Sequence, residues 1–245
     1  MNAPGAVRAQ LMEATSVRPE ISAILSGVSH PDFRTGAPLG LITIFGQNLF
    51  RVPADSGSFE AAAPLMLNGT TVTIGGREAA IVTLGRDASF IPTDYIVAQV
   101  PAGVSAGDHP VVVSNSNGPG MEAVLTVQQI APVLYFDEVG AIAFRVSDMS
   151  LIGPGNPARA GDSIALLMTG LGQVLPGLTT GEYAPADPEA MVAGPVQVSI
   201  GGRAATGVQA TAWPGFAGLN RVVLTVPGGV AGAAEVVVSQ IPPVG

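Results

Sequence analysis

From Ile21 onward the chain alternates short runs of apolar and β-branched residues with breaks rich in Gly and Pro, the two-residue period of half-buried strands. This pattern predicts strands over Ile21–Gly27, Gly40–Leu49, Thr70–Ile74, Ala79–Leu84 and Asp94–Val100, then from Pro110 and over Ala123–Val127. Residues 51–67 read as a connection rich in Pro, Ala and Ser. The start of the chain differs. Val7, Leu11 and Ala14 lie at helical spacing among good helix formers, and Pro19 closes the segment. Residues 1–18 are therefore predicted as a separate arm, either a turn or two of helix or a strand donated to another subunit, with Val7, Leu11 and Met12 as its apolar contacts.

The same pattern occurs twice. Val72-Thr-Ile-Gly-Gly-Arg77 returns as Val198-Ser-Ile-Gly-Gly-Arg203, and a Gly-Gly pair after alternating β-formers predicts a tight hairpin. Three further blocks recur in the same order: Ile42–Leu49 with Ile164–Leu171, Phe90–Pro101 with Phe216–Pro227, and Val111-Val-Val-Ser114 with Val236-Val-Val-Ser239. The repeat divides the chain into the arm and two units, 19–129 and 130–245, each near the ordinary size of one β-sandwich. The units join without a flexible spacer through Thr126–Phe136. The second unit carries extra residues in the connection 172–195, long enough to suggest a functional loop.

Composition supports an all-β chain, since 32 Gly and 21 Pro would interrupt helices throughout. Charged residues make up only 11%, and the net charge is −8 with no lysine, which argues against a nucleic-acid surface. Cysteine is absent, so disulfides, thiolate metal sites and cysteine nucleophiles are excluded. No apolar run is long enough for a membrane-spanning helix, and the N-terminus shows no signal-peptide pattern.

Candidate chemistry is sparse. Gly103-Val-Ser-Ala-Gly107, followed by Asp108 and His109, fits the spacing of a nucleophile elbow. It lies between two β runs rather than at a strand-to-helix turn, and the second unit has Ala231 in place of Ser105, so it reads as a loop. His30 and His109 are the only histidines, too few for a multi-histidine metal site. Glu182, Asp187 and Glu189 are the nearest thing to an oxygen-ligand cluster but lack the alternation of a calcium loop. Trp213 and Phe216 form the tightest aromatic group, suited to packing or to a sugar platform. Arg77 and Arg203 follow the two Gly-Gly turns and are placed to pair with an acid or to shield an edge.

Asn156-Pro-Ala-Arg-Ala-Gly-Asp-Ser-Ile164, Thr169-Gly-Leu-Gly172 and Pro214-Gly-Phe-Ala-Gly-Leu-Asn220, with the Gly-Gly-Arg blocks, resemble a repeated domain of unknown function typical of secreted acidobacterial proteins of the Solibacter type. Its units are similar to the immunoglobulin-like modules of plexins and some transcription factors. The resemblance implies two tandem immunoglobulin-like β-sandwiches, an extracellular or cell-surface location, and neither catalytic residues nor a cofactor. The expected function is a non-enzymatic structural or adhesive module that self-assembles, by strand addition from the arm, into a homo-oligomer or polymer. The alternative is an accessory module that binds a glycan or surface protein through the 172–195 loop, with Glu182, Tyr183, Asp187, Trp213 and Phe216 as its contacts.

Overall fold

A computed structural model describes residues 17–27, 34–55, 62–87 and 93–241. Among them every regular element is a strand. The first half of the chain supplies β1 (Glu20–Ser26), β2 (Thr35–Gly36), β3 (Leu41–Gln47), β4 (Ala54–Asp55), β5 (Met66–Leu67), β6 (Thr70–Ile74), β7 (Arg77–Asp87), β8 (Thr93–Gln99), β9 (Gly107–Asn115), β10 (Gly118–Pro119) and β11 (Ala123–Val127). The second supplies β12 (Val133–Leu134), β13 (Ala143–Arg145), β14 (Ser163–Thr169), β15 (Val174–Leu175), β16 (Met191–Val192), β17 (Val196–Ile200), β18 (Arg203–Ala204), β19 (Thr206–Ala212), β20 (Asn220–Thr225) and β21 (Val236–Gln240).

In the first half the strands follow the order β1-β3-β8-β7-β6-β9-β11-β2, antiparallel except for the parallel pair β11 and β2. β7 is the fold line. Its first residues pair with β6 and the rest with β8, with a register shift between Ile81 and Thr83 that lets one strand serve two layers. At the other side the Ser26 hydroxyl donates to the Thr35 carbonyl, drawing β1 towards β2 so that the sheet nearly closes. The enclosed core is the inward set that the alternation predicts: Ile42, Ile44, Ile81 and Ile96 from one layer, Val72, Ile74, Val111, Val113, Leu125 and Val127 from the other.

The second half is divided. One sheet runs β12-β14-β20-β19-β16-β15, with β13 also on β14; a separate sheet has the order β18-β17-β21. Both Gly-Gly turns have the positive φ that a tight hairpin requires, 58° and 75° at Gly75 and Gly76 and 56° and 72° at Gly201 and Gly202. After the second turn the strand breaks at Ala205, and the register shifts between Thr206 and Gln209. Ile164, Leu166, Val198, Ile200, Val222 and Leu224 form the second core.

The halves are locked together. Leu41 N–H donates to Thr169 Oγ1 at 2.8 Å, and that hydroxyl donates to the Gly218 carbonyl at 2.6 Å. The buried Gln99 receives Gly181 N–H at 2.6 Å and donates to the Leu39 carbonyl at 3.1 Å. Gly181 has a φ of 82°, and a Cβ there would overlap the carbonyl oxygen of Ala63 across the junction. Ala63 and Ala80 pack directly against Ala217, beside Tyr183.

Two expectations are corrected here. The stretch read as a connection over 51–67 contains β4 and β5. The 172–195 loop carries β15 and β16, and its middle is held by the first half through Gly181, Thr180 and an antiparallel bridge between Ala62 and Glu182. A loop that crosses to another layer needs residues enough to satisfy its backbone there. The arm contacts Val7, Leu11 and Met12 lie outside the described residues.

Candidate functional site

The feature that sets one part of this molecule apart is a strand edge. β21 reads Val-Val-Val-Ser-Gln, a β-branched run without charge, and pairs antiparallel with β17 from Val236↔Ile200 to Gln240↔Val196. Gly201 N–H donates to the Glu235 carbonyl at 2.8 Å, and Ile241 N–H donates to the Pro195 carbonyl at 3.2 Å. Backbone groups alternate in direction along an antiparallel strand, so Glu235, Val237, Ser239 and Ile241 face β17 while Val236, Val238 and Gln240 present theirs on the other side. Among the described residues no strand pairs with that side.

The matching strand of the first half is flanked on both sides. β9 pairs with β6 through Val111–Ser114, and with β11 through Gly107–Val111. This second partner is what extends β9 back to Gly107, whereas the residues that correspond to Gly107–Pro110, Gly232–Glu235, form no strand. It also closes the core. Val104, Val111 and Val113 are at most 5% exposed, and Leu125 and Val127 from β11 complete the layer. At the corresponding positions Val230, Val236 and Val238 are only half-buried. This is an apolar edge with strand-pairing capacity to spare.

The residues singled out from sequence fall in several places. Glu182 accepts Thr179 N–H and Oγ1 at 2.9 and 2.8 Å, and these bonds hold its carboxyl below the usual range. It shapes the turn that delivers Gly181 to Gln99. Tyr183 packs against the small cluster of Ala63, Ala80 and Ala217. Glu189 is ion-paired with Arg221, and Asp187 is exposed, so the acids of this loop do not converge. Among the described residues no three carboxylate or imidazole side chains form a metal-sized cluster. Trp213 stands edge-to-face between Phe144, at 5.8 Å, and Phe216, at 6.3 Å, and Phe216 remains 50% exposed.

Ser105 lies in the turn between β8 and β9, where a His109 ring nitrogen meets its backbone carbonyl at 2.8 Å. Asp108 accepts the Thr126 hydroxyl at 2.7 Å, which ties it to β11 rather than to His109. The two recurrent arginines behave alike: Arg77 lies against Gly103, in the turn between β8 and β9, and Arg203 against Gly229, in the turn between β20 and β21. Burial pushes the Tyr135 phenol well above its ordinary pKa, its hydroxyl enclosed without a hydrogen-bond partner.

Sequence reasoning did not single out Gly232–Gln240. No family model and no curated protein matches the chain.

Proposed function

We propose that this chain is a non-enzymatic structural or adhesive module of the cell surface or extracellular space, built as two tandem immunoglobulin-like sandwiches that self-assemble by strand addition. The observation that supports it is that, among the described residues, no strand pairs with the outer edge of β21, whose valines are half-buried. Adding a strand there joins main-chain donors and acceptors that no strand among the described residues pairs, and it buries Val236 and Val238. The donor in this reading is the arm, residues 1–18. Sedimentation velocity across a concentration series tests it. The intact chain forms concentration-dependent oligomers and a chain starting at Pro19 does not; an intact chain that stays monomeric throughout overturns the proposal.

The accessory-binding alternative keeps Phe216 as its support, an exposed ring braced by Trp213. It is the weaker reading, because Glu182 and Tyr183 are engaged in holding the junction.

A further inference from the structure

The adhesive part of that reading, on which this inference rests, needs a surface, and one lies on the side of the second sheet that faces away from its core. β13 sets Ala143 opposite Leu166 among the core residues, so its neighbour Phe144 points the other way. Phe144 stands across from Leu151 in a short hairpin, between the bonds from Arg145 N–H to the Ser150 carbonyl and from Ile152 N–H to the Ala143 carbonyl. Residues paired in this way bring their side chains close together. Val146 follows on the same side. Met149 sits in the turn that closes the hairpin, with a φ of 55° that is uncommon for a residue carrying a side chain. Trp213 meets the Phe144 ring edge-to-face, and Phe216 meets Trp213 in the same way. Val146, Met149, Leu151 and Phe216 are each between 41% and 53% exposed.

The stripe is braced from behind. Arg145, on the opposite side of β13 from Phe144, donates to Asp162 at 3.2 Å, to Asn156 Oδ1 at 3.3 Å and to the Pro157 carbonyl at 3.1 Å. Asn156 Nδ2 in turn donates to the Ser150 hydroxyl and the Leu151 carbonyl, both at 3.0 Å. A surface already held in place binds without the cost of ordering itself. Its size suits a protein. The four exposed side chains offer roughly 350 Å², at about 150–250 Å² for a large side chain fully exposed. A standard interface covers about 800 Å² per partner, and a little over half of that is non-polar. A sugar is a poorer match, because the rings stand at 88° and 83° to one another and form no flat platform.

Charge at the border selects among proteins. Asp148 precedes Met149 in the turn and is exposed. Asp187 is exposed two residues before Glu189, which the bond from Ala212 N–H to the Ala190 carbonyl brings alongside Trp213. Neither aspartate forms an ion pair among the described residues, whereas Arg145 and Arg221 are paired with Asp162 and Glu189. In a chain of net charge −8, a second copy on this face would set acid against acid. A partner with basic groups around an apolar centre meets complementary charge instead. We infer that the stripe from Met149 to Phe216 is a docking surface for a protein segment whose apolar side chains are flanked by arginine or lysine.

Trp213 is the chain's only tryptophan, so its fluorescence reports occupancy of the stripe. The probe is a synthetic peptide, Arg-Arg-Leu-Phe-Leu-Phe-Arg-Arg, titrated into the full chain beside a control with aspartate in place of each arginine. The arginine peptide shifts the Trp213 emission saturably, and the control binds about ten-fold more weakly. Leu151→Ser with Phe216→Ser weakens binding of the arginine peptide about ten-fold. Phe216→Ser alone, at a half-exposed position, serves where the double variant does not fold. Asp148→Asn or Asp187→Asn weakens binding about two- to five-fold and flattens its salt dependence. No saturable shift, equal binding of the two peptides, or undiminished binding by the Phe216→Ser chain overturns the inference. A shift of Trp213 emission with protein concentration alone, removed by Phe216→Ser, gives the stripe to a second copy and overturns it as well. Strand addition at β21 is read separately by sedimentation velocity, so either proposal can fail without the other.

Discussion

β9 and β21 carry the same four residues, Val-Val-Val-Ser, and end in different circumstances. β9 is nine residues long, is paired on both sides and buries Val111 and Val113 fully; β21 is five residues long, is paired on one side among the described residues and leaves Val236 and Val238 half-buried. Sequence alone would give the two strands equal standing. What separates them is a neighbour: β11 supplies the ladder that extends β9 to Gly107 and the side chains, Leu125 and Val127, that seal the core. A strand's length and burial are thus properties of its sheet, with intrinsic preference as a weak contributor.

The strongest way to break the comparison is to remove what β11 supplies. Leu125→Ala destabilises the protein by about 2–5 kcal/mol in denaturant unfolding. The matched pair sharpens it: Val111→Ala costs about 2 kcal/mol, and Val236→Ala about half as much, provided the measurement is made below the concentration at which copies associate. Equal losses at the two valines would mean that the second core is as closed as the first.

Next in size is the junction, which separates a loop that binds from a loop that holds. Gln99→Ala strands the Gly181 N–H and the Leu39 carbonyl, a loss of about 1–3 kcal/mol, visible as accelerated proteolysis within 172–195. The smallest effect is at Glu182. Its carboxyl is held low by the two Thr179 bonds, so its contribution is present above the unfolded-state pKa and fades as the pH falls through the folded value. Glu182→Gln flattens the loss of stability below pH about 4.3, and a variant whose acid limb matches the parent would show that the bond to Thr179 carries nothing.

Much of the fold was legible. Ala123–Val127 and Thr70–Ile74 stand where alternation placed them, and both Gly-Gly turns form the hairpins that their residues demand. The misreadings have physical causes. Pro110 looked like the start of its strand because nothing local shows that β11 recruits Gly107, Asp108 and His109. The 172–195 segment read only as a long connection because the partners that order it, Gln99 and Ala63, lie far back in the chain, and periodicity carries no information about contacts over that span. Phe144 was missed as the third ring beside Trp213 for the same reason.

The way β1 enters the fold bears on load. The arm joins it at Glu20, and its ladder to β3 runs from there towards the junction. Inter-strand hydrogen bonds lie across the strand axis, so tension drawn through the arm strains the β1–β3 bonds together, in shear, instead of peeling them one at a time. A chain coupled to its neighbours in series would therefore meet a pull with the whole ladder from Glu20 to Ser26 at once.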